Sequence, residues 1–170
     1  PGGESGAWMQ FLAPPKGGLG AGGATTLAWS PDGLLLAEAS CGAGPLSRAR
    51  INVWDVALGV PVSVRGGLGA TGLLLWSPCG SYLLAATTGA AFYIWETHTW
   101  SCRRWSSPAG RVTAAAWSPD GRVLVTASSR GRQLAAMHFA APAPSLTAHV
   151  LPLDLPGVSG GSGGGDAAGG

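Results

Sequence analysis

The stretch Trp76-Ser77-Pro78-Cys79-Gly80, continued by Ser81-Tyr82-Leu83-Leu84-Ala85-Ala86-Thr87-Thr88-Gly89-Ala90-Ala91-Phe92-Tyr93-Ile94-Trp95-Glu96, decides the fold, because its two ends recur elsewhere in the chain. The opening phrase returns as Trp29-Ser30-Pro31-Asp32-Gly33 and as Trp117-Ser118-Pro119-Asp120-Gly121, and the closing Trp95-Glu96 is echoed by Trp54-Asp55. The opening tryptophans stand 47 and 41 residues apart and the closing ones 41 apart. A period of about forty residues marks an array of copies of one small structural module.

Each copy reads as a short antiparallel meander. Leu73 and Leu75 alternate with Leu74 and Trp76, as a strand requires, and the Ser-Pro-x-Gly phrase then reverses the chain. Proline presets φ at the first central turn position, and glycine supplies the positive φ that a three-residue hairpin loop needs. Residues 82–86 form the return strand, 87–91 a small-residue loop, and Phe92-Tyr93-Ile94-Trp95 a third strand of aromatic and β-branched residues. One meander cannot bury its own apolar face, so neighbours must stack.

The composition agrees. Hydrophobic residues are 46% of the 170 and charged ones 11%, as in a chain made of core and turn. A net charge of +2 gives no argument for nucleic acid. From residue 97 to 153 the charges are Arg103, Arg104, Arg111, Arg122, Arg130 and Arg132 against Asp120 alone. That asymmetry suits either an acidic or phosphate-bearing partner or plain solvated outer strands. Cys41, Cys79 and Cys102 are odd in number and widely spaced, which describes no disulfide framework and points to a reducing compartment. Residues 66–95 carry no charge, yet a proline turn and six glycines interrupt them, so they suit buried strands better than a membrane helix.

In chain order, residues 1–23 are a Gly/Pro-rich lead-in in which only 8–12 could be a strand, the tail of a preceding module. Gly18, Gly20 and Gly23 satisfy G-x-G-x-x-G, but the phrase runs into a strand rather than a helix, so it carries no nucleotide site. Residues 24–65 form the first module, with strands at 25–29, 34–39, 50–54 and 61–64 and a loop at 41–49. Residues 66–110 form the second, with an outer strand at 100–105. Residues 111–156 form a divergent third that lacks a closing Trp-Asp, with its third strand within 133–139 and an outer strand at 145–151. Residues 157–170 are a Gly/Ser-rich linker.

Catalytic constellations are not evident. His98, His138 and His149 have no metal-ligand spacing, and neither a G-x-S-x-G elbow nor a phosphate-binding loop occurs. Asp32, Asp120, Asp55 and Glu96 recur at turns and strand ends, where carboxylates hydrogen-bond local backbone. A non-catalytic binding scaffold, without cofactor or metal, is the expectation. Trp100, Arg103, Arg104 and Trp105 on one outer strand are the candidate protein-contact residues, because aromatic residues and arginine dominate interface hot spots. Ordinary inter-strand packing accounts for them equally well. Trp100 and Trp105 fall on opposite faces, which leaves one of them exposed.

These modules resemble WD repeats, on the markers Trp29, Pro31, Gly33, Trp54, Asp55, Trp76, Pro78, Gly80, Trp95, Glu96, Trp117, Pro119 and Gly121. Within that family, residues 73–129 resemble a WD-repeat nucleoporin. The resemblance rests on the run into Phe92-Tyr93-Ile94-Trp95-Glu96, the Trp100-Ser101-Cys102-Arg103-Arg104-Trp105 segment, and Gly110-Arg111 leading to the third turn phrase.

The resemblance implies an all-β fold of the WD40 β-propeller type, with three to four blades present of a larger, seven-bladed ring whose other blades lie in the same polypeptide. It also implies a scaffold of the nuclear pore complex at the nuclear envelope. Its partners would be other nucleoporins, including an integral pore-membrane one, with no small-molecule substrate, no nucleic acid and no membrane span of its own. The competing expectation is a soluble WD adaptor, such as a ubiquitin-ligase substrate receptor or an RNA-processing scaffold. The chain departs from many WD repeats in lacking the Gly-His pair and the loop aspartate, leaving small residues such as Ser40 and Thr88. Cys79 also replaces the turn aspartate. Strand pairing is therefore expected to persist where the shared polar network does not.

Overall fold

The computed structural model describes residues 24–40, 50–64, 70–131, 133–141 and 143–154. The lead-in with its candidate strand at 8–12 and the Gly18-Gly20-Gly23 phrase, the loop at 41–49 and the linker at 157–170 lie outside the described residues. The strands are β1 (Ala24–Trp29), β2 (Leu35–Ser40), β3 (Arg50–Asp55), β4 (Val60–Val64), β5 (Thr71–Trp76), β6 (Tyr82–Thr87), β7 (Ala91–Glu96), β8 (Ser101–Ser106), β9 (Val112–Trp117), β10 (Val123–Ser128), β11 (Gln133–His138) and β12 (His149–Asp154). They form three antiparallel four-stranded sheets, each a meander in which chain order is spatial order.

The Ser-Pro-x-Gly phrase makes each first hairpin. Gly33, Gly80 and Gly121 all take positive φ, at 72°, 74° and 69°. The Gly33 N–H donates to the Ser30 carbonyl, and the Ser30 N–H donates to Leu35. Four residues therefore lie between the last paired positions, one more than the three-residue loop expected from sequence. The reason is the serine: its hydroxyl accepts the N–H of Leu35 at 2.9 Å, and Ser77 and Ser118 accept those of Tyr82 and Val123 at the same distance. The pairing thus begins on the serine itself. Each turn aspartate, Asp32 and Asp120, then accepts from that hydroxyl at 2.5 Å and from the N–H two residues on.

Side chains alternate across each sheet, so the central sheet serves two interfaces. Leu74, Trp76, Leu83, Ala85, Tyr93 and Trp95 pack with Ala37, Ala39, Ile51 and Val53 of the first sheet. On the other face Tyr82, Leu84, Ala86, Phe92 and Ile94 pack with Val112, Leu124, Met137 and Phe139 of the third. Every residue of β6 is buried. The three equivalent turn tryptophans report this order. Trp76 is 6% exposed and its indole N–H donates to the Ala28 carbonyl of the first sheet at 3.0 Å. Trp117 stacks on Tyr82 of the second sheet, with centroids 5.8 Å apart and planes at 10°. Trp29, on the face of the first sheet turned away from the second, is 54% exposed.

The third sheet forms without a closing tryptophan, and β11 falls where alternation places it. Its outer strand does not: β12 runs over His149–Asp154, not 145–151. The residues before it are drawn back over the central sheet instead. The Tyr82 hydroxyl donates to the Ser145 carbonyl at 2.8 Å, an Arg103 guanidinium N–H donates to Leu146, and Ala143, Leu146 and Ala148 pack against the second core cluster. The Trp54 indole N–H donates to Glu38 at 3.0 Å, whereas Tyr93 Oη, Trp105 Nε1 and Trp117 Nε1 are buried without a hydrogen-bond partner among the described residues.

Candidate protein-contact surface on the outer strand of the central sheet

β8 is the outermost strand of the central sheet, and Ser101, Cys102, Arg103 and Arg104 are all exposed. The hairpin from β7 holds it in place. Glu96 is fully buried, and its carboxylate accepts from the His98 and Thr99 N–H groups at 2.9 and 2.8 Å and from the Thr99 hydroxyl at 2.6 Å. His98 Nδ1 lies 2.7 Å from the same carboxylate. Burial alone would raise the carboxyl pKa, but these donors outweigh it and bring the value to about 2. Asp55 caps its own turn more simply, accepting from the Leu58 N–H at 3.0 Å.

Trp100 belongs to this turn rather than to β8. It has φ +53°, four residues after Glu96, where the first sheet has Gly59 at +66° four residues after Asp55. A left-handed backbone costs a side chain with Cβ about 1–2 kcal/mol, and here the compensation is packing. The ring meets Trp76 edge-on, with centroids 6.3 Å apart and planes at 83°.

The four candidate residues divide between two faces. Cross-strand pairing puts Arg104 opposite Tyr93, on the side of the first sheet with Trp100. Trp105 pairs with Phe92 and Arg103 with Ile94, on the side of the third. Arg103 and Trp105 do meet, the guanidinium carbon lying 4.7 Å from the indole centroid. Neither tryptophan is exposed as the alternation suggested. Both are half-buried, because each face of the sheet has a neighbour to receive one ring.

Sequence reasoning singled out the turn markers but not the junction they form. Gly80 approaches Pro31, and a Cβ on Gly121 would stand 2.7 Å from Cys79 Sγ, so successive turns sit against one another. Between the second and third turns is a cleft of about 180 Å³ lined by Cys79, Tyr82, Asp120, Gly121, Arg122 and Phe139. Burial raises the Cys79 thiol, but Ser77, 3.3 Å away, and the Ser81 groups stabilise the thiolate more, leaving the pKa below the ordinary thiol range. The Ser118 and Ser30 hydroxyls, with backbone donors, likewise lower Asp120 and Asp32. Cys79 and Cys102 are free thiols. Among the described residues no three His, Cys, Asp or Glu side chains group as metal ligands, and no helix is long and apolar enough to cross a membrane.

Comparison with known proteins agrees with this geometry. The family model for the WD domain, G-beta repeat, matches residues 99–132. Aladin from Arabidopsis thaliana is 40% identical over 137 residues, covering 79% of this chain and 30% of that protein. The chain thus spans under a third of the length of this relative. Among solved structures, the β-propeller domain of Cps50 (Swd1) from Myceliophteria thermophila superposes with a TM-score of 0.62 at 21% identity, over 78% of this chain and 38% of that one. A chain of the mitotic checkpoint complex gives 0.55 at 19%, over 69% and 34%. At such identities the structures speak for the fold alone. Three stacked four-stranded meanders, the repeated turn phrase and these likenesses make the chain a WD-repeat protein of β-propeller fold that resembles aladin.

Proposed function

We propose that the chain is part of a non-catalytic scaffold of the nuclear pore complex, acting through protein–protein contacts at the nuclear envelope in support of nucleocytoplasmic transport. The observation that carries this reading is the 40% identity to aladin over 79% of the chain. The carboxylates add support: Asp32, Asp55, Glu96 and Asp120 each accept hydrogen bonds from their own turns, a structural use rather than one that leaves a base aimed at a substrate. The partners are other nucleoporins, among them one integral to the pore membrane. Their contact surface is β8, where Arg103 and Arg104 are exposed and Trp100 and Trp105 stiffen the strand from either side.

The test uses the fluorescently tagged full-length protein in living cells. A continuous nuclear rim supports the assignment, and a diffuse nucleoplasmic or cytoplasmic signal removes it. Within that protein, replacing Trp100 and Arg104 together lowers rim recruitment. Unchanged recruitment discards β8 as the contact surface.

A further inference from the structure

We propose that Arg111 and Arg130 form a cradle for a phosphorylated serine or threonine side chain of a partner polypeptide. Arg111 stands at the head of β9 and Arg130 in the turn from β10 to β11. The Ser129 N–H donates to the Arg111 carbonyl and the Arg130 N–H to Ala109, both at 2.9 Å, so the two arginines rise from adjacent backbone rungs. Both are exposed, and among the described residues neither meets a carboxylate in an ion pair. Asp120 follows β9 and Glu96 ends β7, at the opposite edge of the sheets. In the third sheet the outermost strand ends on Asp154, in register with Gln133.

Gly110 organises the pair. It has φ +92°, and a Cβ there would stand 2.7 Å from Ser129 Oγ and 3.5 and 3.7 Å from Cγ and Cδ of Arg130. The aliphatic stem of Arg130 therefore lies along the bare glycine backbone beside Arg111, which reduces the freedom its head must give up on binding. Hydroxyls complete the edge: Ser107 Oγ and Ser128 Oγ are 2.8 Å apart, with Ser129 alongside.

Two guanidinium forks on neighbouring rungs, with hydroxyl donors beside them, suit one compact dianion with three acceptor oxygens. A nucleic-acid strand calls instead for a line of cations with aromatic stacking platforms, and the tryptophans of this region are committed to the sheet interfaces. This inference does not depend on the pore assignment, since it concerns the connection that follows β8 and the β10–β11 turn, not the exposed residues of β8.

The experiment titrates the full-length protein into a fluorescein-labelled phosphoserine peptide with neutral flanks, its unphosphorylated twin, and a single-stranded RNA, read by anisotropy at fixed ionic strength. Inorganic phosphate is measured separately. The phosphopeptide is expected to bind at least about tenfold more tightly than its twin, and R111A/R130A to weaken it by about tenfold or more. Arg122→Ala, which removes the same charge from an exposed position at the opposite end of the third sheet, should change it by less than about twofold. Gly110→Ala, with both arginines intact, should weaken it as well. Equal loss in Arg122→Ala, tighter binding of RNA, no phosphate dependence, or binding of inorganic phosphate with no gain from the peptide would each overturn the proposal.

Discussion

The indole N–H of Trp76 donates to the carbonyl of Ala28 across the junction between the first two sheets, so a side chain of one module is tied to the backbone of another. Trp76→Phe deletes that bond while keeping an aromatic ring, and should cost about 1–2 kcal/mol. Trp76→Ala, which also empties the site, should cost about 3–5 kcal/mol. Trp29→Phe at the exposed equivalent should stay within about 0.5 kcal/mol. Urea unfolding of the three variants measures this, and equal losses at Trp29 and Trp76 would contradict it.

Glu96 links the β7–β8 turn to pH. Its folded pKa, about 2, lies below the ordinary 4.5, so the unfolded chain takes up the proton first. The stabilisation is complete above about pH 4.5 and declines as pH falls toward 2. Glu96→Gln should lose about 1–3 kcal/mol at pH 7, with the gap to wild type closing near pH 2. The exposed His98 contributes little to that figure. Denaturant midpoints at pH 7 and at pH 3 test the sign.

Gly33 and Gly121 share a left-handed backbone, but among the described residues only Gly121 faces a neighbouring turn. Gly33→Ala should cost about 1–2 kcal/mol from conformation alone. Gly121→Ala should cost roughly 1–3 kcal/mol more, because the methyl meets Cys79 Sγ. Adding Cys79→Ala should recover most of that excess, and a double-mutant cycle measures it.

Tyr82→Phe removes the hydrogen bond to Ser145 while leaving the ring stacked on Trp117 and Phe139. The expected loss is about 1 kcal/mol. Limited proteolysis should show cleavage rising within residues 140–148 before the sheets themselves are cut.

Much of this architecture is legible in the sequence because Ser-Pro-x-Gly is nearly self-sufficient: proline, glycine and a serine hydroxyl determine a hairpin with little help from distant residues. β11 was legible without its tryptophan, since alternation in a buried strand survives the loss of one marker. The position of β12 was not. Ser145 and Leu146 are held by Tyr82 and Arg103, more than forty residues earlier in the chain, and local pattern carries no trace of such bonds. Trp100 shows the same limit at shorter range. Tryptophan gives no local sign of a left-handed backbone, and the glycine in the corresponding position of the first module becomes informative only once both hairpins are aligned. The contact candidates were legible as residue types, but their division between two faces depends on sheet register.

The long connection leading into β12 fastens the third sheet to the second. The second sheet is gripped from both sides, by the Trp76 clasp toward the first and by the segment over Tyr82 and Arg103 from the third. During synthesis from the ribosome, the middle module can settle on the one already emerged, but its last fastening arrives only after residue 146 has left the exit tunnel. Truncations placed before and after that point should separate a half-secured central sheet from a fully secured one, with resistance to protease rising in a step rather than in proportion to length.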